Sequence, residues 1–183
     1  SLPGTPIIYY GDEIGMGDNY YLGDRNGVRT PMQWGPDRNA GFSEANPHRL
    51  YLPVIIDPEY HFEALNVRNQ ESSISSLLWW MRGVIAMRKR FRAFSRGSFE
   101  IISGDNPRVF AYCRQYEDEI ILVIVNLSKF SQVVNLEMPK FAGLVPEEVF
   151  GRTIFPIIKE GPYMVIMGPN DYYWLLLGKS REE

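Results

Sequence analysis

The sequence has little of several residue types that whole classes of protein need. It contains one cysteine, Cys113, so an internal disulfide is impossible and a disulfide-stabilised secreted scaffold is excluded. Its two histidines, His48 and His61, have no cysteine or second histidine at metal-ligand spacing, and we interpret both as structural. No stretch approaches the roughly 18 consecutive apolar residues of a membrane-spanning helix. We therefore expect a cytoplasmic protein that does not use a membrane as partner.

The sequence also lacks an excess of charge of one sign. Nineteen Lys and Arg residues oppose 22 Asp and Glu residues, and a net charge of −3 argues against nucleic acid as a partner. Hydrophobic residues make up 45% and charged residues 22%, the balance of a globular chain rather than a disordered one. Aromatic residues are abundant at 14%, so clusters of aromatic rings are expected in a core or a binding site.

The first half of the chain reads as one short strand, a long loop and a helix. The apolar run Pro6–Tyr10 has no polar alternation, which is typical of a strand buried in a parallel sheet. Recurrent Gly and Pro predict a loop from Gly15 to about Gln70, and ordered loops of that length are usually functional. Ser72 or Ser73 is a suitable N-cap for a helix that ends near Arg90. Because a parallel strand needs neighbours, we expect the sequence to be cut from a longer protein.

The second half predicts an antiparallel β-sandwich. After Arg96 and Gly97 the chain becomes a series of short segments rich in β-branched and aromatic residues, separated by turn residues. The predicted strands are 99–102, 109–114, 120–126, 133–137, 163–167 and 171–177. We therefore divide the chain into residues 1–96 and an all-β domain at residues 97–183.

Several acidic residues and the cysteine could have a chemical role, but a purely structural role is favoured for each. Asp12 and Glu13 are adjacent, so they point to opposite sides and cannot flank one glycosidic bond; a salt bridge or cap is expected. The oxygen-rich segment Asp18–Asp24 could suit calcium, but it lacks the spacing of an EF-hand loop and a capped turn is favoured. Cys113 has no nearby histidine and is expected to be a small buried hydrophobe.

Two aromatic segments are candidates for sugar binding. Arg29, Gln33 and Trp34 bring a forked donor, an amide and an indole within six residues of one loop, and neutral sugars bind through planar hydrogen bonds and aromatic stacking. The alternative is that these side chains pack the loop. The run Tyr172–Trp174 could form an aromatic platform, or it could fill the core of the β-domain. No complete set of catalytic residues is visible.

Motifs across the chain resemble the α-amylase superfamily, glycoside hydrolase family 13. Gly4–Met16 resembles its last barrel-strand motif, and Arg29–Trp34 followed by Asn39–Phe42 resembles its oligo-1,6-glucosidase-like branch. The string Gly17–Arg29 is similar to that of members which interconvert maltose and trehalose. The resemblance covers essentially the whole chain, so we expect substrates among maltose, trehalose and related α-glucosides.

The resemblance implies an α+β fragment. Residues 1–96 would be the last strand, long βα loop and last helix of a (β/α)8 TIM barrel, and residues 97–183 the antiparallel C-terminal β-sandwich. The family's catalytic Asp, Glu and second Asp belong to motifs on earlier barrel strands, none of which occurs here. No catalytic residue and no metal ligand is therefore assigned, and the chain alone is expected to be inactive. Arg29 matches a position on the substrate side, where it would bind a hydroxyl or orient a carboxylate.

Other functions remain open at this point. The parent could be an α-glucosidase or amylase-type hydrolase instead of a glucosyl-transferring isomerase, or the β-domain could be a structural or saccharide-binding module. No cofactor is expected in this chain, although the resemblance leaves room for calcium in a longer protein. Without barrel neighbours, Pro6–Tyr10, the helix and its Trp79 and Trp80 would expose an apolar patch through which the chain could self-associate.

Overall fold

A computed structural model describes residues 1–179 of the chain. The chain forms two compact units. The first, called here the loop unit, is Pro6–Ile85, and the second, the β unit, comprises Ser1–Thr5 and the chain from Ala86 onward. No helix in the described part of the chain is long and apolar enough to cross a membrane.

The loop unit is built from short turns, as its many Gly and Pro residues predict. Its one complete α-helix, α1 (Val67–Glu71), is capped by Asn66, whose side chain accepts a hydrogen bond of 2.8 Å from the Asn69 backbone N–H. Turns of 3-10 helix lie at Asp12–Ile14, Tyr20–Leu22, Asp24–Arg29, Arg38–Gly41 and Pro47–Arg49. The small core of the unit consists of Ile14, Met32 and Leu78, against which Met16 and Val67 pack.

The segment Pro6–Tyr10 is not a buried strand, and that prediction is wrong for this chain. The segment pairs with no strand among residues 1–179, and Ile7 is 92% exposed. A parallel strand forms only when neighbouring strands satisfy its backbone N–H and C=O groups, and residues 1–179 provide no such strand for this segment. The predicted apolar exposure is confirmed, because Ile7, Trp79 and Trp80 all present large apolar side chains at the surface.

The main helix, α2 (Leu77–Arg90), begins about four residues later than predicted. Its first turn is capped by Gln70, whose side-chain Oε1 accepts a hydrogen bond of 2.9 Å from the Leu78 N–H. Ser76 donates its hydroxyl to the Gln70 carbonyl at 2.8 Å. The cap is therefore supplied from α1 rather than by Ser72 or Ser73. The helix ends at Arg90, as predicted, and is followed by α3 (Arg92–Arg96).

The β unit contains two antiparallel sheets, which confirms the predicted all-β architecture. The strands are β1 (Ser98–Ile102), β2 (Val109–Tyr116), β3 (Glu119–Asn126), β4 (Gln132–Glu137), β5 (Leu144–Glu148), β6 (Pro162–Met167) and β7 (Tyr172–Lys179). The larger sheet has the order β1-β2-β3-β7-β5, and β4 pairs with β6 in the smaller one. All six predicted strands are present, and β5 is the strand that sequence patterning missed.

Inward-facing residues of both sheets form the core of the β unit. Leu122 and Leu175 come from the larger sheet, whereas Val134 and Val165 come from the smaller one. Cys113 is also buried here, as expected, and burial raises the pKa of its thiol to about 11. The core lies between the two sheets, as in a β-sandwich.

Candidate functional site

One cavity of the loop unit has a volume of about 440 Å³. Cavities of this size commonly hold small-molecule ligands. Its wall is made by four stretches of the loop: residues 10–13, residues 29–34, Phe42 and residues 50–52. The principal lining residues are Tyr10, Glu13, Arg29, Trp34, Phe42 and Tyr51. The cavity therefore combines one guanidinium and one carboxylate with several aromatic rings.

Arg29 lies at the end of the Asp24–Arg29 turn and is exposed to the cavity. The next residue, Thr30, is buried, and its carbonyl accepts a hydrogen bond of 2.8 Å from the Tyr10 hydroxyl, which ties the two walls together. Within residues 1–179, no carboxylate forms an ion pair with the Arg29 guanidinium. Its planar set of donors is therefore available to acceptors on a ligand.

The adjacent carboxylates act mainly as local caps, which was the favoured interpretation. Asp12 Oδ2 accepts a hydrogen bond of 2.9 Å from the Tyr9 N–H, and Glu13 Oε2 accepts one of 2.8 Å from the Gly11 N–H. These bonds hold the turn that follows Tyr10. Glu13 also lines the cavity, whereas Asp12 does not.

Of the predicted sugar-binding residues Arg29, Gln33 and Trp34, the structure places Arg29 and Trp34 at the cavity but not Gln33. Trp34 is 53% exposed and lines the cavity beside Arg29. Gln33 is fully buried instead, and its amide donates to the carbonyls of Tyr60, at 3.2 Å, and Leu65. Gln33 is therefore wrong as a sugar ligand, because its side chain satisfies backbone carbonyls inside the loop. For this residue the alternative of loop packing holds.

A left-handed turn shapes the wall next to Trp34. Three consecutive residues have positive φ: Asn39 at 55°, Ala40 at 59° and Gly41 at 69°. The Ala40 carbonyl accepts hydrogen bonds from the N–H groups of Trp34, at 2.9 Å, and Gly35, at 3.0 Å. A side chain at Gly41 would approach the Gly35 nitrogen at 3.3 Å, so both the angle and the space favour glycine.

Asn39 supports this left-handed turn from inside the loop. It is buried, and its side-chain amide donates to the carbonyls of Ser43 and Ala45, both at 2.7 Å. Non-glycine residues in this conformation are costly and persist only where surrounding contacts hold them, often at functional sites. Phe42, which directly follows this turn, lies in the cavity wall. Sequence reasoning missed it, although an Asn-Ala-Gly run is a recognisable signal for positive φ.

The aromatic run in the β unit does not form a sugar platform. Trp174 is only 4% exposed and packs against Phe94, with ring centroids 4.4 Å apart, and against Phe150, at 5.3 Å. The platform interpretation is wrong because β7 turns the Trp174 ring into the core rather than toward solvent. The alternative that these aromatics fill the core is confirmed for Trp174.

No metal site emerges from the acidic segments or the histidines. Among residues 1–179, no group of three or more His, Cys, Asp and Glu side chains is arranged to hold a metal ion. In Asp18–Asp24, the carboxylate of Asp18 instead packs against Gly27, where a Cβ would lie only 2.1 Å from its Oδ1.

The loop cavity is concave and lined mainly by apolar and aromatic side chains, as small-molecule sites commonly are, and an antiparallel β unit follows it in the chain. Residues 1–97 match the family model "Alpha amylase, catalytic domain", and residues 99–174 match "Maltogenic Amylase, C-terminal domain". The chain belongs to the alpha-amylase family. The predicted fold class, part of a catalytic domain followed by an antiparallel β-domain, is thereby confirmed.

Among characterised relatives, the chain is similar to trehalose synthases. It is 49% identical over 181 residues to the trehalose synthase of Pimelobacter sp., covering 97% of this chain and 32% of that protein. It is 48% identical over 180 residues to the trehalose synthase/amylase of Mycobacterium tuberculosis, covering 97% of this chain and 30% of that protein. The chain thus spans about a third of the length of these relatives.

A solved structure of the same fold is that of Bacillus licheniformis trehalose-6-phosphate hydrolase. The TM-score is 0.73 at 22% sequence identity, and the match covers 97% of this chain and 37% of that one. At this level of identity the likeness concerns the fold alone. It agrees with the arrangement of a loop-rich catalytic segment followed by a β-domain.

Proposed function

We propose that this chain is the C-terminal part of an enzyme that interconverts maltose and trehalose by intramolecular glucosyl transfer. Its similarity to trehalose synthases along nearly its whole length supports this reaction. The proposed division is residues 1–96 as the end of the catalytic barrel and residues 97–183 as the C-terminal domain. The buried, unpaired Cys113 suits a reducing cytoplasm, where we place the enzyme.

The proposed reaction passes through a covalent glucosyl intermediate on a carboxylate, as in retaining glycosidases. None of the family's three catalytic motifs occurs in this sequence, so those carboxylates would come from another part of the protein. The contribution of this chain is to hold the sugar and keep water from the intermediate while the released glucose turns and attacks. The aromatic and apolar lining of the loop cavity suits that task.

The observation that carries the proposal is the position of Arg29. Its guanidinium faces a cavity that holds no ion-pair partner for it in the described chain, and its forked donors can bind two neighbouring sugar oxygens. Trp34 and Phe42 are both half-exposed in the same wall and offer apolar faces to a sugar ring. We propose Arg29 as a substrate-binding residue.

Calorimetric titration of the 183-residue chain with maltose and trehalose tests this role. We expect saturable binding that Arg29→Met weakens at least about tenfold, or about 1.4 kcal/mol. Arg25→Met is the matched control, because Arg25 is an exposed arginine of the same turn that does not line the cavity. Equal affinities in the Arg29→Met and Arg25→Met variants would remove Arg29 from the site.

A further inference from the structure

A second cavity, of about 320 Å³, lies in the loop unit. Its lining residues do not overlap those of the Arg29 cavity. Two stretches that are distant in sequence build it: one around the Tyr20–Leu22 turn and one that follows Val54. Its principal lining residues are Asp18, Tyr20, Tyr21, Ile55, Ile56 and Asp57.

The feature that distinguishes this cavity is an open pair of tyrosines. The rings of Tyr20 and Tyr21 lie 4.1 Å apart between centroids, and the Tyr20 hydroxyl donates to the Tyr21 hydroxyl at 2.6 Å. Tyr20 is 69% exposed and Tyr21 is 80% exposed, so the paired rings are held in place without being buried. Paired aromatic rings that are open to water offer a surface against which the apolar face of a ligand can pack.

Polar groups beside the tyrosines define the kind of ligand that fits. Asp18 and Asp57 both line the cavity, and the negative charge of their carboxylates disfavours phosphorylated or acidic ligands. The Oδ1 atom of Asp18 packs against Gly27, which holds this carboxylate in place. Asp57 Oδ1 accepts a hydrogen bond from the Glu59 N–H at 2.9 Å, which orients the carboxylate. Carboxylates are acceptors that suit several neighbouring hydroxyl groups.

The floor of the cavity is apolar and fixed. Ile55 is buried beneath it, and Ile56 is exposed along its side. Backbone hydrogen bonds from Asn19 N–H to the Gly27 carbonyl, at 3.2 Å, and from Leu22 N–H to the Asn19 carbonyl, at 3.1 Å, hold the turn that presents the tyrosines. The geometry thus joins an aromatic face, an apolar floor and hydroxyl acceptors in one concave site.

We propose that this second cavity binds a neutral glucose-containing saccharide, separately from the Arg29 cavity. A pyranose ring has an apolar face that would lie against Tyr21 and a rim of hydroxyls that would donate to Asp18 and Asp57. The inference rests on the proposed function only for the choice of an α-linked glucosaccharide as the ligand. According to this proposal, the loop unit has two separate sugar-binding sites.

Titration of the full chain with maltotriose, followed by NMR and calorimetry, tests the second site. The Arg29→Met background weakens binding in the first cavity, and in it we expect the tighter saturable binding event to be that of the second site. Adding Tyr21→Ala to that background should weaken this event at least about tenfold. Adding Tyr21→Phe should change it less than about threefold, because the ring stays while the hydroxyl bond is lost.

The two proposals fail in different ways in this experiment. Binding that depends on Tyr21 but not on Arg29 would support the second site and overturn the role of Arg29. Absence of saturable binding in the Arg29→Met background, or binding indifferent to Tyr21→Ala, would overturn the second site. Because Tyr21 is largely exposed, its variants should keep the circular dichroism spectrum of the parent chain. Glucose 6-phosphate should bind more weakly than glucose here, and equal affinities would contradict the role of the carboxylates.

Discussion

Replacing Trp174 by alanine should strongly destabilise the β unit without removing a sugar ligand. The indole is buried between Phe94 and Phe150, whose ring centroids lie 4.4 and 5.3 Å from its own. Truncating a buried aromatic side chain costs roughly 3–5 kcal/mol, through lost burial and the cavity left behind. Phe94 is fully buried, so little of this cavity can be filled by solvent. We expect a loss near the middle of that range.

Urea denaturation followed by far-ultraviolet circular dichroism measures this loss. Trp174→Phe is the matched control, and we expect it to cost roughly half as much because it keeps an aromatic ring in the gap. A double-mutant cycle with Phe94→Ala should give a coupling of about 0.5–1.5 kcal/mol for the ring pair. A Trp174→Ala loss below about 1 kcal/mol, the size of an ordinary surface change, would refute the buried position of this side chain. Loss of maltose affinity in a Trp174→Ala variant that remains folded would contradict the claim that Trp174 is not a sugar ligand.

Two further predictions concern the left-handed turn and the thiol. Asn39→Ala should destabilise the loop unit by about 1 kcal/mol more than Asn39→Gly, because both variants lose the amide hydrogen bonds but only alanine is strained by the positive φ. Denaturation followed by intrinsic tryptophan fluorescence, to which the loop unit contributes Trp34, Trp79 and Trp80, checks this order, and the reverse order contradicts it. Cys113, with a pKa raised by burial from 9.0 to about 11, should react with a thiol reagent at pH 8 far more slowly in the folded than in the unfolded chain. Because the thiol has a higher pKa in the folded chain than in the unfolded chain, the contribution of Cys113 to stability should be complete below pH 9 and should fade as the pH rises toward 11. Fast reaction of the native thiol at pH 8 would contradict its buried position. A free energy of unfolding that does not change between pH 9 and 11 would contradict it too.

The β unit was predictable because its strands are local patterns that one core satisfies. In β6, Tyr163, Val165 and Met167 face inward while Met164 and Ile166 face outward. All five residues are apolar, so the sequence predicts the strand, whereas only the structure shows which residues face the core. The strand β5 was not predicted because its sequence does not alternate between apolar and polar residues. It has Pro146 between two apolar and two acidic residues. It forms because it can pair with β7 at the edge of the larger sheet.

The loop unit was less predictable because its side chains are placed by long-range contacts. Nothing in the spacing of Arg29, Gln33 and Trp34 shows that the middle residue turns inward to bond Tyr60 and Leu65, about thirty residues away. The start of α2 depends likewise on Gln70, which belongs to a different helix end. The segment Pro6–Tyr10 has the composition of a strand, but composition does not supply a partner strand.

The central claim, that this chain provides the Arg29 cavity of a maltose–trehalose interconverting enzyme, is tested most directly in a chimera. The chain would replace the 181-residue region of the Pimelobacter sp. trehalose synthase to which it is similar. The measurement is trehalose formed from maltose, with released glucose counted as hydrolysis. We predict trehalose as the main product, lost with Arg29→Met and retained with Arg25→Met. A folded chimera that yields mainly glucose, or one whose trehalose output is unchanged by Arg29→Met, would contradict the account.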